Sequence, residues 1–281
     1  MGDTPKILSY RGALCNMVRR IAVEAGELIL EYFDGVKDMG VETKGDGSIV
    51  TQADQEAERL IEKKLLEILP DIPVIGEESF AAGARIDFSV HDFFWLVDPL
   101  DGTRAFAAGN PDFTVNIALI YKGDPVLGVI YAPESGELYA GHFEEDGSAR
   151  AVRYFEDSDT EKEMRTRNMP KNGLVVMSSG YHGDGDSQDV MLGKFKVKKI
   201  VRRSSSIKIC VIANGKADLY PRFGSTCEWD TAAGHAILRA AGGDIKDMQG
   251  NPLKYGGDDP RLLNPEFVAA SGEFFLYAEL S

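Results

Sequence analysis

The stretch Trp95-Leu96-Val97-Asp98-Pro99-Leu100-Asp101-Gly102-Thr103 ends an apolar run with two carboxylates and a hydroxyl. It reads as a buried strand that delivers these groups to one loop, with Gly102 and Thr103 where a following helix could start. Carboxylates and one backbone carbonyl are hard oxygen ligands suited to Mg²⁺. Unpaired N–H groups at a helix start form an anion site. Together they describe a place where a divalent metal meets a phosphate. Three more acids lie at the ends of apolar elements. Asp54 follows Val50-Thr51-Gln52-Ala53 at a helix start, Glu77 closes the strand Val74-Ile75-Gly76, and Asp230 opens the helix in Glu228-Trp229-Asp230-Thr231-Ala232-Ala233-Gly234. Taken singly, Asp54 and Asp230 are explained more simply as helix caps that complement the dipole. Glu77-Glu78 alone reads as a solvated charge pair. The Asp98 stretch is harder to reduce, because Pro99 and Gly102 make a turn but a turn needs no pair of acids.

The elements that must position these groups follow from periodicity. Leu14, Val18, Ile21, Ala22, Ala25, Leu28, Ile29 and Tyr32 fall on one face of a helix over 10–33, with Gly35 as its stop. A second helix over 53–69 shows Ala57, Leu60, Ile61, Leu65, Ile68 and Leu69, with Pro70 after it. Strands are expected over 113–121 and 125–132, joined by the turn Lys122-Gly123-Asp124-Pro125, and again over 137–141. Residues 143–172 are charged and weakly periodic, and read as a domain junction or surface insertion. Beyond them come strands over 174–177, 199–201, 217–220 and 268–270, and helices over 207–214 and 230–241. Mixed helices and meanders indicate an α/β (α+β) protein built in layers.

Composition sets limits. A chain of 281 residues, 43% hydrophobic, buries a large core without staples. Its formal net charge of −14 excludes a nucleic-acid polymer as partner, since a phosphate backbone needs a basic surface. A small polyanion is compatible if a few cations gather at one site. Cys15, Cys210 and Cys227 are odd in number and far apart, which reads as free thiols in a reducing, cytoplasmic setting. No window approaches the ~20 apolar residues of a membrane span, and no leader is evident.

The order and spacing of the acidic motifs resembles the inositol monophosphatase superfamily of Mg²⁺-dependent, lithium-sensitive phosphatases. Its signatures are Asp-Pro-Leu/Ile-Asp-Gly-Thr, an upstream Gly-Glu-Glu and a downstream Trp-Asp-x-Ala-Ala-Gly. All three stand here, with Val50-Thr51-x-x-Asp54 before them, so the motifs reach from residue 50 to 234. The resemblance implies a layered αβαβα sandwich, one unit over 1–281 with an αβ half at about 1–150 and another at about 171–281. It implies that Glu77, Asp98, Asp101 and Asp230, with the Leu100 carbonyl, hold two or three Mg²⁺ ions. Asp54 with Thr103 would orient and deprotonate the attacking water, and the Gly102 and Thr103 N–H groups would hold the phosphate. Lys44, in Lys44-Gly45-Asp46-Gly47-Ser48, would lie in a mobile loop that closes over the site. A multi-metal clamp suits phosphomonoester hydrolysis, among the slowest of uncatalysed reactions.

The second half is similar to the CysQ-type 3'(2'),5'-bisphosphate nucleotidases of that superfamily. The similarity lies in Phe113-Thr114-Val115-Asn116-Ile117-Ala118, Ser204-Ser205-Ser206-Ile207-Lys208, the run 217–224, Cys227-Glu228-Trp229-Asp230 and Leu263-Asn264-Pro265. It implies that Ser205, Lys208 and Arg222 hold the phosphate that is not cleaved. Without it, Lys208 reads as a solvated helix residue and Arg222 as an arginine snorkelling beside Tyr220 and Phe223. Relatives read Ser-x-Ser-His where a histidine contacts adenine. Here Gly180-Tyr181 intervenes before His182, which stands open between that role and an exposed loop histidine. The implied substrate is adenosine 3',5'-bisphosphate, giving AMP, with 3'-phosphoadenylyl sulfate beside it, in sulfur assimilation. A monomer or homodimer is compatible; analogy with bacterial relatives adds peripheral association with the inner membrane, for which this acidic chain shows no basic or amphipathic patch. The alternative is an inositol monophosphatase or other small sugar-phosphate phosphatase, but Phe223-Gly224-Ser225 lacks the acid such a site uses for sugar hydroxyls. A haloacid-dehalogenase phosphatase would space its two acids as Asp-x-Asp, one residue closer than Asp98 and Asp101. A non-catalytic binder need not keep both Asp54 and Thr103.

Overall fold

Two apolar stripes open the chain, and both become helices. The computed structural model describes residues 5–43, 49–179, 185–257 and 259–277, so Lys44 and His182 lie outside the described residues. Helix α1 (Arg11–Phe33) buries Leu14, Val18, Ile21, Ala25 and Ile29 along one face. The two-residue strands β1 (Glu42–Thr43) and β2 (Ile49–Val50) pair antiparallel before α2 (Gln52–Ile68), which buries Ala53, Ala57, Ile61 and Leu65. Next come β3 (Val74–Gly76), the short helix α3 (Glu77–Ala81), β4 (Phe93–Asp101) and the short helix α4 (Thr103–Ala107). A meander of β5 (Thr114–Tyr121), β6 (Asp124–Ala132), β7 (Glu137–Phe143), β8 (Ala149–Phe155) and β9 (Thr160–Glu163) completes a seven-stranded sheet in sequence order. Only β3 and β4 run parallel in it.

The rest of the chain alternates strand and helix: β10 (Leu174–Ser179), α5 (Gly185–Leu192), β11 (Val197–Arg203), α6 (Ile207–Ala213), β12 (Leu219–Arg222), α7 (Glu228–Ala240), β13 (Gly243–Asp247), β14 (Phe267–Ser271) and α8 (Gly272–Tyr277). These strands form a second sheet in the order β11-β10-β12-β14-β13, with β10 parallel to both neighbours.

Period-two alternation sorts the side chains into layers. On β4, Trp95 and Val97 pack toward α1 and α2, whereas Phe94 and Leu96 join Ile209, Trp229 and Ile237 between the sheets. Leu174, Val176 and Leu219 form a third core with Met191, Leu192 and Phe274, under α5 and α8. Helices, sheet, helices, sheet and helices thus stack in the expected αβαβα order. Helix α7 lies hard against the larger sheet. A Cβ on Gly128 would come 2.2 Å from the Ala233 carbonyl oxygen, and one on Gly141 would come 2.6 Å from the Ile237 Cα. These two glycines give the helix its seat, and so fix the depth of the acid it carries.

Residues 149–163 correct the expectation of a junction or insertion, because β8 and β9 extend the sheet to its edge. Strand β9 is exposed along its whole length, and an edge with no buried face carries no hydrophobic alternation to read. Among the described residues no helix is long and apolar enough to cross a membrane.

Candidate active site

A cleft of about 630 Å³ opens where strands end and helices begin. Strand β3 runs into α3, β4 into α4 and β11 into α6, while β12 leads to α7. Carboxyl ends of parallel strands gather side chains and helix-start N–H groups in one place. Both sheets contribute to the cleft wall: Glu77, Asp101, Gly102 and Thr103 from one, Ser205, Lys208, Arg222 and Asp230 from the other portion of the chain. The exposed Arg85, Arg104 and Arg261 also line it.

Glu77, Asp98 and Asp230 converge, with one carboxylate oxygen of each within 4.8 Å of the others. Glu77 is the first residue of α3 rather than the last of β3. Asp230 is the third residue of α7, where its Oδ2 accepts the Cys227 N–H at 2.8 Å. Asp54 has the same place in α2: its Oδ2 accepts the Thr51 N–H at 2.8 Å and the Thr51 hydroxyl at 2.6 Å. Its Oδ1 accepts from the Thr103 hydroxyl at 3.1 Å. Capping and chemistry are therefore not alternatives for these acids. For Asp54 the cap holds one oxygen and leaves the other for Thr103 at the cleft wall, and capped Asp230 itself lines the cleft.

Asp98 and Asp101 reach one side of the sheet through a bulge. The register passes from Asp98 opposite Asn116 to Asp101 opposite Thr114, three residues on β4 against two on β5. Leu100 thereby turns into the core under α1 and α2, and Asp101 into the cleft. Pro99, with no N–H to give the ladder, fits a bulge. This corrects the expectation of a loop, since the strand runs through Asp101. Gly102 follows at φ 96°, and a Cβ there would meet the Asp112 carbonyl oxygen at 2.9 Å, so only glycine makes the step into α4.

Asp101 stands beside the three convergent acids at the cleft wall, outside their 4.8 Å group. Its Oδ2 accepts the Ser206 N–H at 2.5 Å. Lys208, on the first turn of α6, is 5% exposed and donates to the Ser205 carbonyl. Arg222, 4% exposed at the end of β12, donates to the Gly224 and Ser225 carbonyls at 3.1 and 3.2 Å. Neither is a solvated or snorkelling side chain. The Ser205 hydroxyl lies 2.9 Å from the Thr114 hydroxyl, which also meets that of Ser206 at 2.9 Å. Asp112 pairs with Arg203 at 2.6 Å and accepts the Ser204 N–H at 3.3 Å. Asp112, Thr114 and Asn116 tie the β11–α6 turn to the larger sheet, a role no motif announced. The signal was there in Thr114 and Asn116, polar residues two apart in an otherwise apolar strand.

Burial and like charge set the electrostatics. Asp98 and Asp230 are held well above the usual carboxylate range, by burial first and then by neighbouring carboxylates, Glu77 foremost for Asp98 and Asp101 for Asp230. Burial raises Asp101 as well, against the pull of Lys208. Asp54 is pushed up to about 6 by burial, against its Thr51 hydrogen bonds. Burial draws the Lys208 ammonium down to about 8. It pushes the Cys227 and Cys210 thiols up, which leaves them poor nucleophiles. Buried, mutually repelling carboxylates are the donor set a hard divalent cation satisfies.

A pH dependence follows for the protein without metal. Native Asp54 keeps its proton to about pH 6, whereas an unfolded aspartate releases it near 3.8, so the native state binds more protons between these values. Stability then falls as pH rises through that window. Asp98 and Asp230 shift in the same direction. The Tm difference between Mg²⁺-loaded and chelator-treated protein should therefore widen from about pH 4 to above pH 6. A difference that stays constant or narrows contradicts the assignment.

A model of the inositol monophosphatase family matches residues 14–274. The chain belongs to that family. Within it, the 3'(2'),5'-bisphosphate nucleotidase CysQ of Escherichia coli (strain K12) is 41% identical over 258 residues, covering 90% of this chain and 98% of that protein. The crystal structure of CysQ from Bacteroides thetaiotaomicron matches with a TM-score of 0.74 at 34% identity, over 92% of this chain and 97% of that one. An inositol-1-monophosphatase from Mesorhizobium japonicum is 34% identical over 247 residues, or 85% of this chain and 87% of that protein.

Proposed function

We propose that this member of the inositol monophosphatase family is a Mg²⁺-dependent 3'(2'),5'-bisphosphate nucleotidase. It removes the 3'-phosphate of adenosine 3',5'-bisphosphate, giving AMP and phosphate, and treats 3'-phosphoadenylyl sulfate in the same way. One observation carries the reading: buried Lys208 and Arg222 share a cleft with the acidic cluster of Glu77, Asp98 and Asp230. In this reading acids that suit a metal would take one phosphate, and buried cations the other. The 41% identity to CysQ supports the same substrate class.

In this reading Glu77, Asp98, Asp101 and Asp230, with the Leu100 carbonyl, hold two or three Mg²⁺ ions. When bound, Mg²⁺ supplies Lewis-acid neutralisation of the phosphate oxygens. The protein's own groups do the rest. The Thr103 hydroxyl lies 3.0 Å from the Leu100 carbonyl and 3.1 Å from Asp54 Oδ1; with the Leu100 carbonyl engaged by a cation its single proton goes to Asp54 and its lone pair accepts from water, so the pair relays a proton from the attacking water to a carboxylate. N–H groups of Gly102 and Thr103, at the start of α4, receive the scissile phosphate. Water attacks in line and no phospho-enzyme forms. Lys208, Arg222 and Ser205 hold the phosphate that stays. The residues at about 1–150 and about 171–281 act as two halves of one unit, each lining one side of the cleft.

An inositol phosphate is the second reading, favoured by the Mesorhizobium relative. Phe223-Gly224-Ser225 weighs against it, with no acid ahead of Asp230 for sugar hydroxyls. Arg222→Ala separates the two. It should lower kcat/KM for the bisphosphate by about 10- to 100-fold, the weight of a charge-assisted hydrogen bond, and for 3'-AMP far less. Equal losses on both substrates would remove Arg222 from phosphate recognition.

A further inference from the structure

Glu58 has no part in the reading above, yet it is a buried acid, 4% exposed, one turn after Asp54 on α2. Its Oε2 accepts the Glu78 N–H at 2.7 Å and its Oε1 the Ser79 N–H at 2.6 Å. Both N–H groups belong to the first turn of α3 and have no partner within the helix. A single carboxylate therefore clamps the start of α3, and the first residue of α3 is Glu77. Gly76 completes the arrangement. Its backbone, at φ −111° and ψ 167°, is ordinary extended chain that any residue adopts. A Cβ there would come 2.3 Å from the Glu58 carboxyl carbon and 2.4 Å from its Oε2. The glycine is needed for the space that Glu58 fills.

We propose that Glu58 is a positioning residue for the metal centre. By fixing the start of α3 it fixes the Glu77 carboxylate relative to Asp98 and Asp230, and so sets the affinity for the divalent cation. The proposal rests on reading that acidic cluster as the Mg²⁺ site. Helix α2 then carries the acid paired with Thr103 on one turn and the clamp of the metal arm on the next. Two functions that must stay in register are thus built on one rigid element.

The test is Mg²⁺ titrated calorimetrically into the metal-free protein, alongside Tm and Mg²⁺-dependent phosphate release. Glu58→Gln keeps the shape but presents an amide NH₂ to one of the two N–H donors. Gly76→Ala leaves Glu58 intact and displaces it. Both should weaken Mg²⁺ binding by about tenfold or more, the effect typical of groups that orient a ligand. Activity of both should return to within a few-fold of wild type once Mg²⁺ is raised to saturation. Glu67→Gln, exposed on the same helix, should leave the affinity unchanged. Wild-type affinity in the folded Glu58→Gln and Gly76→Ala proteins would overturn the proposal, as would activity that stays depressed at saturating Mg²⁺. Wild-type protein that takes up no Mg²⁺ would overturn the metal reading, and this proposal with it.

Discussion

Asp54→Asn should lower kcat by about 10³-fold or more while leaving KM within a few-fold of wild type, at the upper range for loss of a general base. Asparagine can still accept from Thr51 through its carbonyl oxygen, so the cap on α2 and the fold survive. The amide NH₂ then faces Thr103, where Oδ1 now accepts. A group that donates cannot take the Thr103 proton, and the relay from water is cut at its last step. Groups that hold the substrate are untouched. Steady-state kinetics with a matched Tm measurement checks this. An Asp54→Asn enzyme with near wild-type kcat would remove Asp54 from proton transfer.

Asp98→Asn should act in two directions at once. Activity should fall below detection, because the three convergent carboxylates become two. The metal-free protein should become more stable, by about 1–2 kcal/mol or roughly 2–3 °C in Tm. Asp98 is buried and repelled by Glu77, Asp101 and Asp230, so replacing its charge relieves strain that only a cation otherwise relieves. The Leu100 N–H, which Asp98 Oδ1 accepts at 3.1 Å, keeps a partner in the asparagine carbonyl. The rise in Tm that Mg²⁺ gives the wild-type protein should shrink correspondingly. A metal-free Asp98→Asn protein less stable than wild type would mean that the carboxylate is structural.

Much of this site was legible because its chemistry repeats along the chain. Acids at the ends of apolar runs marked Asp54, Glu77, Asp98, Asp101 and Asp230, and the cleft gathers Glu77, Asp101 and Asp230 at its wall with Asp98 beneath. The stripes of α1 and α2 were equally plain, since each buries one face. Tertiary geometry hid the rest. A bulge at Pro99 looks like a turn, because both break alternation and both accept proline. Strands β8 and β9 lie toward an exposed edge, so their charges resembled an insertion. Glu58 could have been noticed as an acid among Ala53, Ala57, Ile61 and Leu65 on the buried face of α2. Its partners, the N–H groups of Glu78 and Ser79, belong to a helix of five residues too short to carry periodicity.

The most direct test of the central claim is phosphate release from adenosine 3',5'-bisphosphate beside inositol 1-phosphate, with Mg²⁺, with Mg²⁺ plus lithium, and with a chelator. The predicted result is strong preference for the nucleotide, lost with the chelator and suppressed by lithium. Preference for inositol 1-phosphate would contradict the roles of Ser205, Lys208 and Arg222 while leaving the acidic cluster in place. Release from neither substrate would contradict the phosphatase reading as a whole.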